Sequence, residues 1–385
     1  MKEGWKYKKL GEVCEVISGQ SPEGKYYNTE EKGTPFYQGK KDFSFKYIGA
    51  PTTWTTETTK IAEKDDLLMS VRAPVGDVNF ATQRLCIGRG LAAIRTKGSI
   101  DKEYLFYFLV AKKNSIKGKE GVGFASINRK EIMDIDIQYP NELSEQQAIV
   151  TRLDAAFEKI DALKANAEKQ LSEARKLFQA ELTECMRPKE GWEESAFKNL
   201  CSFIRGPFGG SLKKECFKES GYAVYEQQNA IYDRFTFRYY IDKKKYNSML
   251  RFAVKAGDLI MSCSGTIGKV AIIIENAQEG IINQALLKLT PKERVDKFYL
   301  KYLMESEFFK ELIAQNSDGA AIKNIASVAI LKEIKLTIPL KEAQQQIVSR
   351  LDALSANIKK LEKVQQKTIA ECNALKQAML REVFE

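Results

Sequence analysis

Two short polar segments, at matched places in the two halves of the chain, carry side chains able to read the edges of nucleic-acid bases. The first is Tyr37-Gln38-Gly39-Lys40-Lys41 and the second is Tyr225-Glu226-Gln227-Gln228-Asn229. Gln and Asn place a donor beside an acceptor and can bond adenine bidentately, whereas Lys reaches the acceptors of guanine. Base contacts are therefore expected from Gln38, Lys40 and Lys41 in one loop and from Gln227, Gln228 and Asn229 in the other. Both loops follow a strand-like run; their skeleton is shared and their polar tips differ, as two copies reading two different sequences require. A second matched pair is Arg72-Ala73-Pro74-Val75-Gly76-Asp77 and Ser264-Gly265-Thr266-Ile267-Gly268-Lys269. Small residues let backbone approach a duplex closely, and Arg72, Ser264, Thr266 and Lys269 are candidates for phosphate or base contacts. Arg89 in IGRGLAAIR and Gln284 in IINQALLKL occupy a third matched place, and Asn128-Arg129 and Lys323-Asn324 a fourth. The competing reading of every such position is an ordinary solvated turn. Lysine clusters at Lys112-Lys113, Lys117-Lys119, Lys213-Lys214 and Lys243-Lys245 read first as solvated surface, otherwise as non-specific phosphate contacts.

Composition removes other chemistries. The 385 residues include no histidine, which excludes Ser-His-Asp and Cys-His catalysis and the histidine-containing zinc motifs. Carboxylate chemistry stays open. The seven cysteines are odd in number and no C-x-x-C spacing occurs. Reduced, mostly buried thiols are expected, without a disulfide frame or zinc site. No [DN]-P-P-[FY] motif and no G-x-x-x-x-G-K-[ST] loop is present, and GTIGKV at Gly265 only resembles the latter. Neither methyl transfer nor ATP-driven translocation is expected of this chain, and no catalytic or metal site is assigned. Asp318 with Glu333-Ile334-Lys335 imitates a nuclease carboxylate pair and its lysine. Alternation of Glu333 and Lys335 with Ile334, Leu336 and Ile338 is better explained by a half-buried strand. Lys and Arg number 61 against 51 Asp and Glu, a net charge of +10, which favours a polyanionic partner. No apolar run approaches the roughly 18 residues of a membrane helix, and the first ten residues hold no apolar signal core. A cytoplasmic protein without a membrane partner is expected.

The elements that must position these residues appear twice. Glu3-Gly4-Trp5 returns as Glu190-Gly191-Trp192, KDDLLMSVRAPVGDV from Lys64 as AGDLIMSCSGTIGKV from Ala256, DKEYLFYFL from Asp101 as DKFYLKYLM from Asp296, and EQQAIVTRLDA from Glu145 as QQQIVSRLDA from Gln344. A period of half the chain means a duplicated domain. Strands are expected at residues 66–71, 91–95, 258–263, 271–274 and 333–338, with short helices at 102–112 and 297–314, so the domains are mixed and β-rich. Each copy closes on a long segment free of Pro and Gly. In the first, Ile149, Leu153, Ala156, Ile160 and Leu163 alternate by four and three, the a/d pattern of a coiled coil, before a register shift through Leu171, Ala174 and Phe178. In the second the seam reads Ile347, Leu351, Leu354, Ile358 and Leu361. The expected division is a recognition domain over 1–142, a spacer helix over 143–187, a second domain over 188–339 and a second helix over 340–385. The helices are expected to pack antiparallel with a globular domain at each end, an α+β architecture with pseudo-twofold symmetry.

These features together resemble the specificity subunit of type I restriction–modification systems. The resemblance rests on the paired E-G-W openings, the helix starts Pro140-Asn141-Glu142-Leu143-Ser144-Glu145-Gln146-Gln147 and Pro339-Leu340-Lys341-Glu342-Ala343-Gln344-Gln345, and the GDLIMS-x-x-G-x-x-G pattern at Gly257 to Gly268. The first copy carries Asp65 in place of that pattern's Gly. The resemblance implies two target-recognition domains that each read half of a bipartite, asymmetric site in double-stranded DNA, held apart by the helices. It further implies two methyltransferase subunits that methylate adenine with S-adenosylmethionine, and motor-nuclease subunits that use ATP and Mg2+, this chain itself holding no cofactor. The rival readings are a stand-alone DNA-binding protein, a nuclease and a coiled-coil scaffold.

Overall fold

The structure is a computed structural model that describes residues 4–116, 125–208, 210–263, 266, 268–315 and 328–385. It divides into two compact units, Met1–Glu168 with Gln366–Glu385, and Lys169–Gln365.

In the first unit an antiparallel sheet runs in the order Cys14–Ser18, Leu91–Thr96, Leu67–Ser70, Val78–Phe80. Leu67–Ser70 and Val78–Phe80 are buried on both faces, which is why these strands read as unbroken apolar runs and not as alternating ones. A second sheet follows the order Tyr27–Asn28, Trp54–Thr55, Thr34–Tyr37, Leu85–Ile87, Ile61–Ala62. Its Thr34–Tyr37 and Leu85–Ile87 strands are parallel, with Tyr37 opposite Ile87. Trp5–Lys9 pairs with Asp136–Pro140. The helix Lys102–Lys112 starts where Asp101 accepts the backbone N–H groups of Glu103 and Tyr104 at 2.9 and 3.0 Å. It buries six consecutive side chains from Tyr104 to Leu109.

The second unit repeats this plan. Its antiparallel sheet has the order Cys201–Arg205, Leu286–Pro291, Leu259–Ser262, Val270–Ile272, and Glu193–Ala196 pairs with Lys335–Ile338. Its smaller sheet joins Tyr240–Ile241, Tyr222–Tyr225 and Gly280–Ile282, the last two parallel with Tyr225 opposite Ile282. The helix expected over 297–314 is two helices, Lys297–Glu305 and Glu307–Gln315. Ser306 separates them because its hydroxyl accepts the Phe309 N–H at 3.2 Å, a capping bond that restarts the helix.

Both long helices, Leu143–Met186 and Lys341–Phe384, have 44 residues, about 66 Å each at the α-helical rise. Their starts are anchored alike. The fully buried Gln146 accepts the Asp101 N–H at 2.7 Å and donates to the Pro140 carbonyl at 2.9 Å. Gln344 accepts the Asp296 N–H at 2.8 Å and donates to the Pro339 carbonyl at 2.9 Å. The matched Gln of the two helix starts thus ties each helix to its own domain through a polar group that has no access to water. About two turns further along each long helix, Tyr107 donates to Asp154, and Tyr302 donates to Asp352 at 2.6 Å.

The seam differs from its sequence reading. Leu163 is 52% exposed, and no register shift occurs. The sheltered stripe of the first helix runs Gln146, Val150, Leu153, Phe157, Ile160, Lys164, Ala167, Leu171, Ala174, Phe178, a heptad rhythm kept throughout. The second helix repeats it 198 residues later from Gln344 through Val348, Leu351, Ser355, Ile358, Glu362, Gln365, Ile369 and Cys372. Of the expected seam residues, Leu153, Ile160 and Leu351 are buried, while Ile149, Ala156, Ile347, Leu354, Ile358 and Leu361 are half-buried. The apolar residues misled because charged side chains occupy true seam positions and pair across the helices. In the first unit Lys164 donates to Asn373 at 3.3 Å and Lys376 pairs with Asp161. In the second, Arg175 meets Glu362 at 2.9 Å, Arg350 meets Glu181 at 2.6 Å and Gln365 donates to Gln170 at 2.7 Å. Rising numbers on one helix meet falling numbers on the other, so the two helices run antiparallel where they pair.

All seven cysteines are free thiols and only Cys216 is not buried. Burial pushes the thiols of Cys14 and Cys201 up to about 12 against the weaker pull of Lys97 and Lys292. Since the thiolate is the reactive form, a maleimide at neutral pH should label Cys216 alone in the native protein and all seven after denaturation. Rapid native labelling of Cys14 or Cys201 would contradict the packing.

Candidate nucleic-acid interface

In each unit the serine at the end of a core strand shapes the loop beyond it. Ser70 donates to the Pro74 carbonyl at 3.0 Å and accepts the Asp77 N–H at 3.0 Å. Ser262 donates to the Thr266 carbonyl at 2.6 Å and accepts the Lys269 N–H at 3.0 Å. One hydroxyl therefore folds a loop of the same size in both copies and brings residue 77 or 269 to the same place, with opposite charge. Asp77 is gripped by Lys40 and Lys113, one on each carboxylate oxygen. Burial alone would raise the Asp77 pKa, but the two ammonium groups outweigh it and hold the carboxyl below its usual range. One carboxylate thus serves two ammonium groups, so the cluster keeps a net positive charge and Lys40 is drawn towards Asp77. Lys269 and Thr266 are exposed, as is Arg72, whose backbone bridges to Ser126. Ser264 lies outside the described residues.

The first polar loop is built against the third matched place. The Gly88 N–H donates to the Tyr37 carbonyl at 2.8 Å and the Gly90 N–H to the Gln38 carbonyl at 3.1 Å. A Cβ at position 90 would sit 2.4 Å from the Gln38 carbonyl oxygen, and one at 88 would sit 2.8 Å from Gln38 Oε1. Glycine at 90 lets the turn lie on the loop backbone, and at 88 a side chain would displace the Gln38 carboxamide. Arg89, between them, is carried beside Gln38. Its N–H donates to Ser21 Oγ at 3.3 Å, and Ser21 Oγ donates to Gln38 Oε1 at 2.9 Å. Gln38, Lys41 and Arg89, all exposed, line one cavity of about 690 Å3 together with Ser21, Asp42 and Thr53. Asn128 is elsewhere and acts as a helix cap: its side chain accepts the Glu131 N–H at 3.0 Å, and Glu131 accepts the Asn128 N–H at 2.9 Å.

The second unit departs from its sequence reading here. Gln227, Gln228 and Asn229 begin the helix Gln227–Tyr232 and are not in a loop. Asn229 is fully buried. Its oxygen accepts the Glu226 N–H at 2.7 Å, and its NH2 donates to the carbonyls of Arg234 at 2.7 Å and Thr236 at 3.1 Å. With every bonding group spent on backbone, Asn229 shapes the site and has nothing left for a base. Glu226, matched to Gln38, is held by Arg238 through bonds of 3.0 and 2.9 Å. Gln227 and Gln228 are half-buried, and Gln228 donates to Glu226 at 3.4 Å. Gln284 is exposed on the turn that follows Asn283, whose N–H donates to the Tyr225 carbonyl at 2.9 Å. Lys323 and Asn324 lie outside the described residues, as does Asp318. Glu333 bonds Lys198 at 2.7 and 2.8 Å and Lys335 bonds Glu194 at 2.8 Å, so both are engaged on the surface and form no carboxylate site together.

Sequence reasoning missed Ser21, Asp42 and Thr53. It also missed Phe208, the counterpart of Ser21, which is 93% exposed. The signal was the shared Gly19 and Gly206, whose N–H groups both donate at 2.9 Å to a strand leucine, Leu91 or Leu286.

The family model described as the type I restriction modification DNA specificity domain matches the chain twice, at residues 2–173 and 189–371. The putative type I restriction enzyme MjaX specificity subunit of Methanocaldococcus jannaschii is 40% identical over 178 residues, 45% of this chain and 41% of that protein, less than half its length. The MjaVIII specificity subunit of the same organism is 24% identical over 94% of this chain and 89% of its own. The EcoBI specificity subunit of Escherichia coli is 19% identical over 99% and 86%. Among solved structures, a chain of a type I restriction–modification system superposes with a TM-score of 0.81 at 18% identity, covering 100% of this chain and 98% of that one. The HsdS subunit of Thermoanaerobacter tengcongensis gives 0.59 at 19% identity, covering 100% and 97%. At such identities the structural likeness is one of fold.

Proposed function

The chain belongs to the type I restriction–modification DNA specificity family, as a specificity subunit, and from this we propose that its two units each read one half of a bipartite, asymmetric DNA site. The domains at 1–142 and 188–339 supply the reading surfaces, and the helices at 143–187 and 340–385 set the spacing. Two methyltransferase subunits use that address to methylate adenine, and motor-nuclease subunits use it to direct cleavage. S-adenosylmethionine, ATP and Mg2+ belong to those partners, and this chain carries the address only. The observation that carries the reading is one scaffold used twice with unlike tips: Gln38 and Arg89 in one unit stand at the places that Glu226 and Gln284 hold in the other, with Lys41 and Gln228 beside them. A shared frame explains the folding, and different donors and acceptors on it explain an asymmetric site.

Methylated adenines are to be mapped by sequencing in cells that express the chain with its methyltransferase. A two-part motif is expected, absent without the chain. Gln228→Ala should relax one half of that motif, by on the order of 1–3 kcal/mol of discrimination, and leave the other half unchanged. Equal relaxation of both halves would contradict unit-by-unit readout.

A further inference from the structure

The cavity of the first unit is supplied mainly with donors, and we propose that it selects a guanine in the half-site that unit reads. This deepens the proposed function and rests on it. Ser21 orients one end of Gln38: Oε1 accepts the Ser21 hydroxyl at 2.9 Å. That bond takes one of the two lone pairs of Oε1 and fixes the carboxamide, whose NH2 stays free to meet acceptors. Arg89 projects from a turn held by Gly88 and Gly90 against Gln38. Among the described residues no carboxylate pairs with the Arg89 guanidinium or with the Lys41 ammonium, although Lys40, one residue away, pairs with Asp77. Three donor groups thus share a concavity with one carboxylate, that of Asp42.

Guanine is the base that offers two adjacent acceptors, O6 and N7, on its major-groove edge, and the guanidinium fork matches that pair. Its cytosine partner presents the N4 amino donor, which the Asp42 carboxylate suits. Adenine would set its N6 amino group against a donor. In the second unit the matched places hold Glu226, closed off by Arg238, and Gln284, so the same preference is not expected of the other half-site.

The test is the methylation map of cells that co-express the full chain and its methyltransferase, for the wild type, Arg89→Ala, Arg89→Lys and Gln38→Glu. The wild-type motif should contain a guanine whose preference over other bases falls roughly ten- to a hundredfold in both Arg89 variants. The other half should be unchanged, and Gln38→Glu should weaken guanine in the same half. Lysine keeps the charge and loses the fork, so full retention in Arg89→Lys would make this a phosphate contact and overturn the proposal. An even loss across all positions, or no guanine that relaxes, would overturn it as well. If Arg89→Ala accumulates poorly, Arg89→Lys and Gln38→Glu decide. A wild-type map with no two-part motif would instead reject the proposed function itself.

Discussion

Phe384→Ala should destabilise the unit that contains the beginning of the chain by about 3–5 kcal/mol, the usual cost of emptying a buried phenylalanine site. Phe384 is fully buried in the core cluster of the first unit. Its ring meets Tyr104 edge-on at 5.3 Å and Phe108 at 5.8 Å, and its carbonyl accepts Gln138 Nε2 at 2.7 Å. Cys372, Leu380 and Val383 of the same helix belong to that cluster. The second unit is completed in the same way by Leu182, Cys185 and Met186 from the end of the first long helix. A domain is stable by only about 5–15 kcal/mol in total, so the substitution should bring the first unit close to unfolding. Hydrogen exchange read by mass spectrometry should show loss of protection in Leu67–Ser70, Leu91–Thr96 and Lys102–Lys112, with little change in Leu259–Ser262 and Leu286–Pro291. Equal loss in both units, or loss in the second alone, would show that Phe384 does not belong to the first core.

A larger functional change is expected from lengthening both long helices. Gln170 and Gln365 face each other across the pair at 2.7 Å. Inserting four residues beside each adds about 6 Å of helix. Insertions at facing positions keep the other cross-helix partners together: Lys376 with Asp161 on one side, Arg175 with Glu362 and Arg350 with Glu181 on the other. Under the proposed function the methylated motif should keep both half-sites and lengthen its spacer by one or two base pairs at ~3.4 Å each, so that methylation of the original sites is lost. Insertion into one helix alone sets these pairs out of step by about a turn and should lower stability without giving a new motif. An unchanged spacer in the double insertion would reject the helices as the determinant of spacing.

The two predictions depend on features that the linear chain reveals unequally. Local pattern announced the apolar strands and the two long helices, because each depends on neighbours a few residues away, and comparison of the two halves announced the repeated blocks. The Gln of each helix start was visible as a matched letter, and its work as a buried double anchor was not, since the groups it bonds come from a different segment. Leu163 passed for a seam residue because it is apolar and correctly spaced, whereas the true stripe passes through Lys164 and Glu362, which partners on the other helix satisfy. The ion pair of Lys40 with Asp77, which Lys113 shares, was invisible until the fold brought the three together. Asn229 looked like a reader until its carboxamide was found holding three backbone groups. The candidates that line the cavity of the first unit, Gln38, Lys41 and Arg89, come from loops about fifty residues apart and meet because Gly88 and Gly90 lie against Gln38. Type, periodicity and duplication were settled by short-range physics and so could be read from the letters. Which polar groups are spent on the protein and which are left for a ligand depends on distant partners, and only tertiary packing selects those.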